Sequence, residues 1–292
     1  MNPDGLMHPH DLTALEQLRA VPFLDTFLKK MMELSVEQFL HGKCMANHIR
    51  LGPEQLPEIY QLLPPICRKF EIPEPEFYLA QDPMINAYTM GDTRTFLIVH
   101  SGLVENFSQS ELQAVLAHEC GHIVCRHVLY HTLMDLLTTL GGAFFGIGEV
   151  VAAPVRLALA HWSRTSEFSA DRAAAVFADG ADPMIKALVR LAGGTKRIAE
   201  SINIEAFLAQ GEYYESLRES KWDKLLQTLA LLNEDHPFLA VRARELQKWT
   251  KTHDFKHLTD DIQVRQSNVK CLKCGHGLSS RWKFCQQCGA EC

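Results

Sequence analysis

Residues 108–124 constrain this chain more than any other segment. Ser108-x-x-Glu111 is a capping box: the serine hydroxyl accepts from the glutamate backbone N–H, and the carboxylate accepts from the serine's, so a helix starts there. Leu112, Val115, Leu116, Ile123 and Val124 recur at helical spacing and give it an apolar face. Within it lies His118-Glu119-Cys120-Gly121-His122. Histidines at i and i+4 lie on one face of a helix, so both imidazoles can share one ion. The glutamate is offset from that pair, where it can reach a metal-bound water and accept its proton. Neutral imidazole suits Zn2+, and zinc lowers the pKa of a bound water to about 7. The competing reading, two histidines on a solvated face, fits poorly with so apolar a helix.

A catalytic zinc needs a third protein ligand and an open position. A histidine six residues past the second would be one solution, but Val128 stands there. His127 and His131 have the wrong spacing for that role and are read as ordinary histidines. Glu167 is the better candidate. Asp171 follows one helical turn later, so one face can present a ligand and a carboxylate behind it. Asp171 could then accept the outer ring N–H of His118 or His122 and fix its tautomer. Spacing alone leaves open the other reading, two solvated acids beside Arg164 and Arg172. Cys120, inside the motif, is small and apolar enough to pack behind the metal.

The rest of the chain supports a globular frame. Of its 292 residues, 47% are hydrophobic and 22% charged, so a sizeable core can be buried. The net charge of −6 supplies no global positive field, and no nucleic-acid partner is expected. The opening MNPDGLMHPHDL lacks the basic and apolar regions of a secretory signal, so a reducing, cytoplasmic setting is expected. Residues 136–148 carry no charge, but a spanning helix needs about 20 apolar residues, and Glu149 would be costly in lipid. A buried or surface-capping segment is expected, with association with a membrane surface through 136–160 left open.

Helical periodicity runs over residues 11–41, interrupted at Pro22 and stopped by Gly42, and over 54–70, bounded by Pro53 and Pro64-Pro65. Residues 77–79 read as a short strand, and 85–90 with 95–99 flank Gly91-Asp92 as a hairpin. Further helices are expected at 155–178, from Asp182-Pro183 to Gly193, and over 222–249. Residues 250–270 turn polar and lose periodicity, which reads as a linker. The expected organisation is an N-terminal helical extension (1–49), a main domain (50–249), a linker (250–269) and a small terminal unit (270–292).

That terminal unit carries Cys271-x-x-Cys274-Gly and Cys285-x-x-Cys288-Gly. Two such knuckles bring four thiolates onto one ion in a closed tetrahedral site, a zinc ribbon. So short a segment could hardly fold without its metal. Four thiolates leave no open position, so recruitment of a substrate or protein partner is expected there rather than chemistry.

The motifs also occur in a recognisable order. Asn86-Ala87 in the hairpin, HSGLV at 100–104, ELQAVLAHECGHI at 111–123, SRTSEFSAD at 163–171, and His236-Pro237 followed by Arg242 together resemble the HtpX-like and CAAX-prenyl-protease group of gluzincins, metallopeptidase family forty-eight. The resemblance covers about residues 50–249. It implies that His118, His122 and Glu167 bind zinc and that Glu119 is the general base and then the general acid. It implies that His236 stabilises the oxyanion and that Arg242 orients Glu167 or Asp171. It further implies that the strand at 85–90 pairs with an extended substrate, with Asn86 and Ala87 near the scissile bond. The fold implied is α+β: a mainly helical zincin (gluzincin) domain with a small β-sheet, plus the small C-terminal zinc ribbon. The function implied is a zinc-dependent endopeptidase acting on protein or peptide substrates, with one catalytic and one structural Zn2+. Many relatives carry clear membrane spans; this chain has at most a compressed remnant at 136–160, which argues against prenyl-protein processing. The alternative is a catalytically silent scaffold or adaptor acting through the ribbon. Glu119 speaks for the enzyme, because merely holding a metal does not require it.

Overall fold

The apolar periodicities of this sequence condense into helices packed around one small sheet. The computed structural model describes residues 3–199, 201–217 and 238–266, with 270–275, 278, 283–285 and 287–291 of the terminal unit. The chain opens with α1 (Pro9–Arg19), α2 (Leu24–Glu33) and α3 (Val36–Asn47), then β1 (Ile49–Arg50), α4 (Pro57–Tyr60) and α5 (Leu63–Phe70). β2 (Glu76–Ala80), β3 (Ala87–Gly91) and β4 (Thr95–His100) complete the sheet. Then come α6 (Ser101–Asn106), α7 (Gln109–Val124), α8 (Val128–Thr139), α9 (Glu149–Ala178), α10 (Asp182–Gly193), α11 (Lys196–Ala199), α12 (Ile204–Ser216), α13 (Leu239–Thr250) and α14 (His253–Gln266). The architecture is α+β and mainly helical, as expected.

The sheet order is β1-β2-β4-β3, with β2 and β4 parallel and the other pairs antiparallel. Phe96, Leu97, Ile98 and Val99 of β4 are fully buried. Such a continuous apolar run belongs to a strand covered on both faces. The expected hairpin is present, with Gly91 paired to Thr95. Gly91 has φ of +109°, and a Cβ there would lie 2.0 Å from the Arg94 carbonyl oxygen, so the turn requires glycine. β3 is left at the edge of the sheet.

Among the described residues, the most intimate helix pair is α7 against α9. Gly121 of α7 meets Ala170 and Ala173 of α9, and both alanines are fully buried. Small residues on both sides let the two helices approach closely, which sets the faces carrying His118, His122, Glu167 and Asp171 against each other. α7 is fixed at its start by the capping box read from the sequence: Ser108 N–H donates to Glu111 Oε2 at 2.7 Å. The same carboxylate accepts from Arg190 of α10, Nη2 to Oε1 at 2.8 Å.

Several boundaries differ from the sequence reading. Gly42 does not stop the second stretch; α3 runs on to Asn47, because one exposed glycine costs a helix only about 1 kcal/mol. Residues 54–70 divide into α4 and α5. Pro64-Pro65 occupy the first turn of α5 rather than bounding a helix, where the missing N–H has no partner to lose. α9 begins at Glu149, not near residue 155, since the Glu149 carboxylate accepts the Gly142 N–H at 2.7 Å and holds the preceding turn against the new helix. Residues 253–266, expected within a linker, form α14. Phe255, Thr259 and Ile262 supply a buried stripe at helical spacing that the surrounding charges mask. Of the helix expected over 222–249, residues up to 237 lie outside the described residues. No helix among the described residues is long and apolar enough to cross a membrane.

Two substitutions probe this packing. In Gly121→Ala, the added Cβ would sit 2.7 Å from the Ala173 Cβ and 3.0 Å from the Ala170 Cα. Denaturant unfolding should show a loss of about 1–3 kcal/mol, the usual cost of overpacking. Burial pushes the Glu111 carboxyl up, but hydrogen bonds from Arg190 and Ser108 outweigh it and hold the group below its ordinary 4.5. Its stabilisation is therefore present above pH 4.5 and lost as the pH falls through the lower folded value. Glu111→Gln should be less stable than wild type at neutral pH and should lose less stability on acidification, as read by thermal melts across pH 3–7 (a range of about four units).

Candidate active site

His118 and His122 of α7 and Glu167 of α9 converge on one point. The two Nε2 atoms are 3.3 Å apart. His118 Nε2 is 3.6 Å from Glu167 Oε2, and His122 Nε2 is 3.4 Å from Glu167 Oε1. Ligands about 2.1 Å from a tetrahedral centre are separated by about 3.4 Å, so the spacing and the N/N/O donor set fit zinc. All three side chains are buried, and burial pushes the His122 imidazole below its ordinary value, toward the neutral form that binds a metal.

Charge balance comes from α13. Arg242 is fully buried and donates from Nε to Asp171 Oδ2 at 2.8 Å and from Nη2 to Oδ1 at 2.7 Å. Its Nη1 lies 2.7 Å from Glu167 Oε2. Burial opposes the charge on both sides; even so, the two carboxylates hold the guanidinium above its ordinary value, and Arg242 keeps the Asp171 carboxyl below its own. Asp171 Oδ1 is also 3.0 Å from His118 Nδ1. Both expected partners of Arg242 are thus engaged at once.

Glu119, between the histidines, is buried, and its Oε2 accepts from Thr89 Oγ of β3 at 2.9 Å. Thr89 was not foreseen from the sequence. It ties the carboxylate to the edge strand. His100 N–H donates to the Asn86 carbonyl at 3.0 Å, which makes that pair a hydrogen-bonded one in the antiparallel ladder. Alternation then turns the backbone groups of Ala87, Thr89 and Gly91 outward, away from β4. Ala87 therefore lies on the outward edge, while the Asn86 carbonyl faces inward. At Gly91 the edge closes: Thr132 of α8 accepts its N–H at 2.9 Å, with the same hydroxyl 3.2 Å from its carbonyl.

Two further residues were missed. His127 is fully buried, with Nδ1 3.1 Å from His122 Nδ1 and Nε2 3.0 Å from Asp11 Oδ2. Asp11, in the first turn of α1, also accepts from Trp162 Nε1 at 3.0 Å and Ser169 Oγ at 2.5 Å. The helical spacing that disfavoured His127 does not apply, because the chain leaves α7 through Arg126 at φ +60° and turns back. The signal available in the sequence was the density of histidines after the motif. His236 lies outside the described residues.

In the terminal unit, Cys271 Sγ is 3.6 Å from Cys288 Sγ, and Cys274 Sγ is 3.6 Å from Cys285 Sγ. Thiolates about 2.3 Å from a zinc are separated by about 3.8 Å, so this set fits as well. Each knuckle closes on a positive-φ glycine: Gly275 N–H donates to Cys271 O and Gly289 N–H to Cys285 O, both at 2.8 Å. The Cys271 thiol is brought down to about 6, chiefly by the backbone N–H groups of Cys274 and Lys273.

Two histidines of one helix and a glutamate of a second define the gluzincin class of metallopeptidases. The sequence profile of Peptidase family M48 matches residues 53–250, and the chain belongs to that family of zinc-dependent proteases. It is 31% identical over 260 residues to the plastoglobule-localized metallopeptidase 48, chloroplastic, of Arabidopsis thaliana, covering 88% of this chain and 76% of that one. It is 29% identical over 185 residues to a protease HtpX homolog of Pelotomaculum thermopropionicum, covering 52% of this chain and 65% of the relative. Among solved structures, Ste24p of S. mikatae aligns over 77% of this chain and 61% of that chain, with a TM-score of 0.42 and 19% identity. The family read from the five ordered motifs is the family found, and its substrates are proteins or peptides.

Removing Arg242 would leave two buried carboxylates uncompensated. Arg242→Ala should lose roughly 3–5 kcal/mol in urea unfolding, far more than an exposed arginine would.

Proposed function

We propose that this chain is a zinc-dependent endopeptidase in which His118, His122 and Glu167 hold the metal. When bound, zinc acidifies water and polarises a carbonyl group. Glu119 accepts the water proton and returns it to the leaving amine, Asp171 and Arg242 hold His118 and Glu167 in place, and His236 donates to the oxyanion. The substrate backbone adds to β3 along the outward groups of Ala87 and Thr89, next to Asn86. The observation that carries this reading is the Thr89–Glu119 hydrogen bond, which keeps the base beside the strand that would present the scissile bond.

Cys271, Cys274, Cys285 and Cys288 would hold a second, structural zinc, and the ribbon would recruit a substrate or protein partner. The domain division stated above is part of the same proposal, except that residues 253–266 form α14 and pack into the main domain instead of serving as a linker. So is work in the cytoplasm with contact at a membrane surface: Leu140, Phe144, Val150 and Leu157 all expose apolar side chains within residues 136–160. The relative named for plastoglobules is in keeping with a lipid-adjacent setting.

The test compares wild type with Glu119→Gln on an unfolded casein-type substrate, with zinc counted per chain. Two zinc ions are expected in both proteins. Cleavage by the variant should fall by at least about a hundredfold. Two zincs without cleavage by either protein would favour the scaffold instead.

A further inference from the structure

We infer that Asp11, in the N-terminal helix, is a positioning residue that acts through His127 to fix the tautomer of His122. The inference rests on His122 being a zinc ligand. Hydrogen-bond direction carries the argument. The Asp11 carboxylate already accepts from Trp162 Nε1 and Ser169 Oγ, and an ionised carboxylate can only accept. Burial alone would raise the Asp11 carboxyl, but the close approach of His127 and hydrogen bonds from Ser169 and Trp162 keep it below its ordinary value.

His127 Nε2 lies 3.0 Å from Asp11 Oδ2 in an ion-pair contact whose alignment falls short of a hydrogen bond, and facing a carboxylate that can only accept, it is the ring nitrogen placed to carry the proton. In neutral His127 the other nitrogen, Nδ1, is then a bare acceptor. It lies 3.1 Å from His122 Nδ1, which must be the donor. His122 is left with its lone pair on Nε2, the atom that faces His118 Nε2 at 3.3 Å and Glu167 Oε1 at 3.4 Å. With His127 neutral, reversing either link would set two donors or two lone pairs about 3 Å apart in a buried site, where the cost of mismatched polar groups is high; a cationic His127 would instead leave the proton on His122 Nε2, where a zinc ligand cannot carry it. The two motif histidines are thus served alike, His118 directly by Asp171 and His122 through an intervening imidazole by Asp11.

Anchoring α1 does not explain a carboxylate at this position. Trp162, Ser169 and His127 include no permanent cation, so a neutral asparagine in place of Asp11 would bury more cheaply while still meeting Trp162. A negative charge makes sense where it is transmitted to a metal-bound imidazole, whose basicity it raises. His122, His127 and His131 could also be read as a second metal site, since each offers a nitrogen within 4.8 Å of the others. That reading would strip His122 of both ring protons. It would also compete with Ser166 Oγ, 3.0 Å from His131 Nε2, and Ser163 Oγ, 3.4 Å from His131 Nδ1. The relay requires neither.

The test uses the full chain with the cysteine site filled. Zinc affinity at the histidine site is measured by competition with a chelating indicator, alongside the visible spectrum of the cobalt-substituted site and separate kcat and KM values. Asp11→Asn should weaken zinc about 10- to 100-fold, alter the cobalt bands, and lower kcat at saturating zinc with little change in KM. His127→Leu should do the same, and His127→Asn, whose amide oxygen can replace Nδ1 as acceptor, should recover part of the loss. Leu15→Ala, which loosens the packing of α1 without touching Asp11 or His127, should lower the melting temperature while zinc affinity stays within about twofold of wild type. Zinc affinity and cobalt spectra unchanged in both Asp11→Asn and His127→Leu would overturn the inference, as would a third zinc lost with His127. A wild-type chain that holds only the ribbon zinc would overturn the ligand assignment itself, and the inference with it.

Discussion

Two carboxylates one helical turn apart cannot both stay ionised in a protein interior unless a cation is brought to them. Arg242 is that cation, and the rest of the site depends on it. It reaches both carboxyl groups at once, through two nitrogens to Asp171 and one to Glu167. Desolvating each ion costs several kcal/mol, so the cluster stands only when it is complete. Glu167 is then free to turn its oxygens toward the histidines, and Asp171 to accept from His118. Because Arg242 comes from α13, the helices that supply His118, His122, Glu167 and Asp171 are not sufficient alone: the chain must fold through α13 before the charges balance.

The close contact of α7 and α9 translates this local chemistry into architecture. Gly121 and the alanines opposite it have no packing payload of their own; they allow approach. Had either surface carried larger residues, the histidines and Glu167 would stand too far apart to share an ion. The pairing of Glu111 with Arg190 holds the start of α7, while Asp171 meets its later turns through His118.

What was legible in the sequence was whatever is encoded within one helix or one turn. The capping box, the face shared by His118 and His122, the hairpin glycine and the four cysteines all declare themselves over a few residues. Glu167 and Asp171 were legible as a pair, yet their spacing equally suits two solvated acids; what distinguishes them is an arginine 71 residues further on from Asp171. Asp11 and His127 were not legible, because one belongs to a distant helix and the other follows a left-handed turn where helical projection fails. α14 was masked by its charges, which crowd the solvent side of a stripe only three residues deep.

The closure at Gly91 has a consequence of its own. An open sheet edge invites any extended chain, including another copy of the same protein, and the danger grows with its length. Here the Thr132 hydroxyl occupies the backbone groups of Gly91, so the outward-facing stretch of β3 ends after Ala87 and Thr89. An edge that short gives a visiting strand too few main-chain bonds to remain by backbone alone. Residence must be decided by side chains, and the same hydroxyl that ends the strand shortens the edge that another copy of the chain could pair with.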